Sequence, residues 1–155
     1  MILLDTNVVS EPMRPKPDRN ALTWLDAQAA ETLYLSTISL AELLLGIESL
    51  PAGKRRKVLA ADLDDQIITL FGDRIVPFDL EAAEAYAKIV TRARLHGHPI
   101  AVADAQIAAI AASRRFTVAT RDEGPFRAAG VPVINPWSAT LGSESAGQRR
   151  AHRKP

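Results

Sequence analysis

The sequence of 155 residues predicts a three-layer α/β/α sandwich with a mainly parallel central sheet. Three observations carry that prediction. Short runs of strand length recur at 2–4, 33–37, 74–79, 116–120 and 131–135. Segments of helical length with apolar stripes separate them nearly throughout. The first run, Ile2–Leu4, is wholly apolar, the pattern of a strand buried on both faces.

In order along the chain, "ILL" forms the first strand, ends at Asp5 and leads into the proline-rich loop "SEPMRPKPD". Asp18 is an N-cap for a helix over 19–30, with Leu22, Trp24 and Leu25 on its apolar side. "LYLST" (33–37) is the second strand. In "SLAELLLGIESL" a helix begins at Ser39, which with Glu42 three positions on has the chemistry of a capping box. After "PAGKRRK" a charged helix places Leu59, Leu63, Ile67 and Leu70 in one stripe. "RIVPFD" is extended and leads to the amphipathic helix "LEAAEAYAKIVTRARLHG", closed by Gly97. The apolar helix at 100–112, "IAVADAQIAAIAA", precedes the strand "FTVAT". A turn, a short helix to Gly130 and the strand "VPVIN" complete the pattern.

Composition narrows the chemistry. Hydrophobic residues are 47% and charged residues 24% of the chain, ordinary for a single globular domain of this length. The absence of cysteine excludes disulfides, thiolate metal sites and a thiol nucleophile, and fits a reducing cytoplasm. The opening apolar run is too short for a signal peptide, and no segment approaches the ~20 apolar residues of a membrane span. The net charge of +1 conceals an asymmetry. Arg149, Arg150, Arg153 and Lys154 outweigh Glu144 in the last fifteen residues by three charges, leaving residues 1–140 at −2. The expected division is a folded domain over 1–138 and a basic, disordered tail over 139–155.

Asp104 stands in the middle of an apolar helix, where an ionised carboxylate requires a partner, a metal or a cleft. Asp5 and Asp122 follow strands, at the carboxyl ends where open α/β sheets bind ligands, and Glu42 lies near the start of another apolar helix. Four acids from four distant segments can therefore meet in one cleft. Like charges that close oppose folding unless a cation lies between them. All-oxygen ligation suits Mg²⁺ or Mn²⁺, the arrangement of metal-dependent phosphodiester hydrolysis. No G-x-S-x-G, phosphate-binding loop, G-x-G-x-x-G or H-E-x-x-H motif offers a competing chemistry.

Each acid also has a structural alternative: Asp5 as a turn cap, Glu42 as the partner of Ser39, Asp104 as an acid on a helix dipole and Asp122 as a cap. Ile107, Ala108 and Ala111 on the face of Asp104 weigh against the dipole reading alone. His96 and His98 flank a glycine at a helix end. "GKRRK" (53–57) reads as a solvated helix start, with RNA contact as its functional alternative. Arg121, beside Asp122, is a candidate phosphate ligand, because a guanidinium matches phosphate oxygens bidentately.

"LLDTNVVSE", "TISLAELLLGIESLPAGKRR", "GHPIAVADAQIAAIA", "VATRD" and "GVPVINPW" resemble, in order over about residues 2–138, the signature segments of PIN-domain ribonuclease toxins, specifically the VapC/FitB-like branch of bacterial type II toxin–antitoxin systems. The resemblance implies a PIN-like α/β/α fold whose acids hold Mg²⁺ or Mn²⁺ and cut RNA. Asp5, Glu42, Asp104 and Asp122 match the acidic positions; Thr6, Asn7 and Thr120 match supporting ones, beside the phosphate candidate Arg121. It further implies a homodimer and a cognate antitoxin that blocks the site and connects it indirectly to DNA. Relatives read T-R-N-x-x-D-F, whereas this chain reads "TRDEGPF", so the fourth carboxylate lies three residues earlier and Pro125 takes the usual place of an acid. The alternative function is a catalytically weak scaffold that chiefly binds an operator-binding antitoxin. A phosphate-transfer receiver is disfavoured, because "DTN" lacks an acid two positions after Asp5.

Overall fold

The structure, a computed structural model, describes residues 1–139. Its element order is β1 (Ile2–Leu4), α1 (Thr6–Val9), α2 (Arg19–Asp26), β2 (Leu33–Ser36), α3 (Thr37–Glu48), α4 (Lys54–Asp62), a π-helical turn (Leu63–Ile68) running into α5 (Thr69–Phe71), β3 (Ile75–Val76), α6 (Leu80–Leu95), α7 (Val102–Arg114), β4 (Thr117–Ala119), α8 (Glu123–Ala128) and β5 (Val133–Ile134). The five strands form one sheet in the order β3-β2-β1-β4-β5. Every pairing is parallel, with Ile2 opposite both Leu33 and Thr117. The expected sandwich is thus realised, and its sheet is fully parallel.

Because side chains alternate across a strand, β1 and β4 feed two cores. Leu3 and Val118 pack with Ala82, Ile89, Ile107, Ile110 and Phe126 on one face. Leu4 and Ala119 pack with Trp24, Leu35, Leu43, Leu63 and Phe71 on the other. Both faces are helix-covered, which is why the strands read as continuous apolar runs. Among the described residues no helix is long and apolar enough to cross a membrane. The basic tail expected from the sequence lies, from residue 140 on, outside the described residues.

Several local expectations change. The chain after β1 folds at once into α1 and a 3₁₀ turn at Glu11–Met13 before its proline-rich loop. Asp18 caps α2 as expected, accepting from the N–H of Asn20 and Ala21, but the helix ends at Asp26 rather than near residue 30. The cap of α3 is Ser36, whose Oγ accepts from Ser39 N–H at 2.9 Å. The capping box of Ser39 with Glu42 is absent: Ser39 already lies inside the helix, its hydroxyl 2.9 Å from that of Ser36. Leu70 is 59% exposed and Phe71 takes its place in the core, since the wider π turn keeps a spacing of four through Leu63, Ile67 and Phe71.

Asp79 caps α6 through Ala82 N–H and pairs with Arg114 at the end of α7, joining the two helices. Gly97 closes α6 at φ +71°, a left-handed position suited to glycine, as His98 N–H bonds to Ala93 C=O. At the end of α7 the left-handed position belongs to exposed Arg115, at φ 57°. An Arg115→Gly variant is expected to gain about 0.5–1 kcal/mol, read as a higher melting temperature by calorimetry.

Candidate functional site

The strand order reverses direction at β1, which lies between β2 and β4, so the crevice beyond β1 and β4 is the topological switch point. Asp5 is the first residue beyond β1 and is 6% exposed. Its Oδ1 accepts from Thr6 N–H at 2.8 Å, capping α1, so the expected turn-cap role is present. Its Oδ2 accepts from Asn7 Nδ2 at 2.6 Å and from Thr120 Oγ1 at 2.7 Å. Thr120, the first residue beyond β4, is fully buried and in turn accepts from Asn7 Nδ2 and from Asp122 N–H, both at 3.1 Å. Arg121 N–H donates to Asn7 Oδ1 at 3.2 Å. The two motifs, over a hundred residues apart in sequence, are thereby knitted into one network.

Thr6 extends the network by donating its hydroxyl proton to Glu42 Oε2. Glu42 therefore faces the switch point from α3. The first turn of α7 contributes Asp104, half-exposed above Ile107, Ala108 and Ala111, which are fully buried. That floor fixes the backbone beneath Asp104 while leaving its carboxylate at the rim. Asp122, exposed at the start of α8, makes no side-chain cap bond to that helix, so its expected capping role is not realised. Pro125 sits in the first turn of α8, where no intrahelical N–H is needed.

The electrostatics report the convergence of all four acids. Burial pushes the Asp104 carboxyl above its ordinary value, and the charges of Asp5, Glu42 and Asp122 push it further the same way. Burial also raises Asp5, with Glu42 adding to the effect, while the bonds from Thr120, Thr6 and Asn7 oppose it. Every charge acting on Asp104 is negative. The neighbouring acid Glu123 behaves differently: Asn135 and Arg127 bond its carboxylate and hold it below its ordinary value. Of two adjacent acids, Asp122 is available to the crevice and Glu123 ties α8 to β5.

Among the described residues no three acidic or histidine side chains are placed to hold one ion directly. The donor set nevertheless fits Mg²⁺ or Mn²⁺, which bind through one or two carboxylates and keep several waters. Asp104 and Asp122 accept no side-chain or backbone hydrogen bond among the described residues, and Glu42 has only Oε2 engaged.

The remaining candidates fall elsewhere. Arg121 has its guanidinium over the Trp137 ring, 5.1 Å from the centroid, instead of among the carboxylates. His96 and His98 line a separate depression with Arg92. In "GKRRK", Arg56 pairs with Glu48 at the start of α4. The sequence reading missed Glu11: nearly fully buried, it accepts from Asp18 N–H at 2.7 Å and pairs with Arg14 at 3.1 Å. A lone acid among prolines carried no signal of burial.

Parallel sheet, switch-point crevice and neighbouring acids together define an α/β protein with an acidic centre at the carboxyl edge of its sheet. Residues 2–131 match the PIN domain family. Toxin FitB of Neisseria gonorrhoeae is 52% identical over 137 residues, covering 88% of this chain and 99% of FitB. VapC ribonuclease Y4jK of Sinorhizobium fredii is 49% identical over 137 residues, covering 88% of this chain and 98% of the relative. The structure of FitAB bound to an IR36 DNA fragment superposes with a TM-score of 0.87 at 49% identity, over 90% of this chain and 98% of that one. The chain belongs to the PIN-domain family, in its VapC/FitB-like branch.

Proposed function

We propose that this protein is the ribonuclease toxin of a toxin–antitoxin pair, cutting RNA phosphodiester bonds in the cytoplasm with Mg²⁺ or Mn²⁺ held by Asp5, Glu42, Asp104 and Asp122. The observation that carries the reading is the mutual influence of these four carboxylates, with no Lys or Arg among the charges acting on Asp104, at the switch point of a chain about half identical to a VapC ribonuclease and to toxin FitB. A bound divalent ion there lowers the pKa of an attacking water and neutralises charge on the phosphate.

The chain's own groups supply position. Three donors lock the Asp5 carboxylate against rotation, so its free lone pair points from a fixed place. Thr6 holds Glu42 Oε2 and leaves Oε1 without a protein hydrogen bond among the described residues. Asp104, free of hydrogen bonds among the described residues, would hold the ion directly or through a water.

The partners follow the same reading: an RNA substrate, a second copy of the chain in a homodimer, and a cognate antitoxin through which the complex meets DNA, as FitAB does. The apposition of carboxylates invites an antitoxin Arg or Lys as a competitor for the cation's place. The scaffold reading draws support from the lack of three preassembled ligands among the described residues. Incubating purified protein with RNA in Mg²⁺ and in EDTA separates the two. The nuclease reading expects cleavage in Mg²⁺ alone; no cleavage in either buffer favours the scaffold.

A further inference from the structure

A second feature borders the acidic centre. The proline-rich segment, the start of α2, Arg121 and Trp137 enclose an open cleft of about 500 Å³, within the size range of small-ligand sites. Its rim carries Lys16, Arg19 and Arg121. The acids in its wall are already engaged: Glu11 holds Arg14 and the Asp18 N–H, and the Asp18 carboxylate caps α2. The cleft therefore presents a surplus of positive charge, in a body of net charge −2 over residues 1–140.

The backbone that carries these cations is also held in place. Buried Glu11 pins the loop at Arg14 and at Asp18, on either side of Lys16, and Pro15 and Pro17 stiffen the backbone between. The Arg121 guanidinium sits over the ring of Trp137, whose C=O accepts from Asn20 of α2. Preordered cations lose less entropy on meeting an anion than mobile ones do. The cleft is continuous with the centre through Arg121, whose N–H bonds to Asn7 and whose neighbour is Asp122. Four carboxylates repel a polyanion, so a phosphodiester brought to them needs cations close by.

We propose that this cleft binds the phosphate backbone of single-stranded RNA immediately beside the bond to be cut, through Lys16, Arg19 and Arg121. The inference rests on the nuclease reading and names how its substrate is held. Lys16 and Arg19 make no side-chain hydrogen bond or ion pair among the described residues, so their removal leaves the fold's contacts intact.

The test uses the full chain with Asp5→Asn as a cleavage-silent background and measures fluorescence anisotropy of a short labelled single-stranded RNA of mixed sequence in Mg²⁺. Adding Lys16→Ala and Arg19→Ala is expected to raise Kd roughly tenfold and to reduce the slope of log Kd against log salt by about 1.4, two lost phosphate contacts at ~0.7 each. Charge reversal by Lys16→Glu is expected to weaken binding further. An unchanged Kd and salt slope, with an unchanged melting temperature, overturns the inference. Wild-type cleavage run in parallel keeps the failures apart. Cleaving protein whose variants bind RNA normally refutes the cleft alone, whereas wild type that cleaves nothing in Mg²⁺ or Mn²⁺ refutes the nuclease reading beneath it.

Discussion

Replacing Asp5 by Asn is expected to abolish RNA cleavage and growth arrest on expression. The loss should exceed the roughly 10–100-fold that removal of an outer partner of a metal ligand causes, because Asp5 is the innermost acid of the centre. The substitution also turns an acceptor-only group into one with two donors. Thr6 N–H, Asn7 Nδ2 and Thr120 Oγ1 all donate to the native carboxylate, so one new N–H must face a donor. That mismatch costs about 1–3 kcal/mol and is partly offset by removal of a buried charge. A melting curve is therefore part of the experiment. Glu42→Gln supplies the second variant: this exposed side chain keeps its Oε acceptor for Thr6 while losing its charge. Folded Asp5→Asn and Glu42→Gln variants that both cleave at the wild-type rate would refute the assignment.

The Asp104→Asn variant is expected to move activity and stability in opposite directions. Asp104 is raised by burial and by three acids and receives no compensating hydrogen bond, so its charge opposes folding. The sign follows from proton uptake. Between the ordinary carboxylate value, near 3.8, and the raised one, the folded chain holds a proton that the unfolded chain has released. Stability therefore falls as pH rises through that window and stays lower above it. In EDTA at neutral pH, Asp104→Asn should melt roughly 2–4 °C higher than wild type, ~1 kcal/mol at this chain length, a gain kept small by solvent screening at a half-exposed group. The difference between the two proteins should vanish as pH falls below the window. Added Mg²⁺ should raise the wild-type melting temperature and leave the variant nearly unmoved, while cleavage by the variant is lost. A variant less stable than wild type in EDTA would mean that Asp104 is compensated by an interaction not seen here.

Much of this architecture is legible in the sequence because strand and helix periods are local. Ile2–Leu4, Leu33–Ser36 and Thr117–Ala119 are apolar runs whose partners are fixed by helices on both faces, and each is found within a residue or two of its expected place. The misses are places where tertiary contact decides between near-equal local options. Ser36 and Ser39 can both cap a helix; the one at the end of β2 does so because the strand delivers it there. Leu70 and Phe71 are adjacent apolar residues, and only the π turn determines which enters the core. The four acids could be singled out because each stands at a strand or helix edge. That they could meet was also legible, from their places at the carboxyl ends of strands; which hydrogen bonds join them was not, since these depend on the parallel order that brings β4 beside β1. Nor were the different roles of Asp122 and Glu123, which are decided by Asn135 approaching from the next strand.

Titration of metal-stripped protein with Mn²⁺ by calorimetry tests most directly the claim that these four carboxylates form one cation site. Saturable binding to the wild-type chain is expected, with its loss in Asp5→Asn and its marked weakening in Asp104→Asn and Asp122→Asn, three variants contributed by three separate segments. Wild-type protein that binds no Mn²⁺, or folded variants that bind it as wild type does, would contradict the claim.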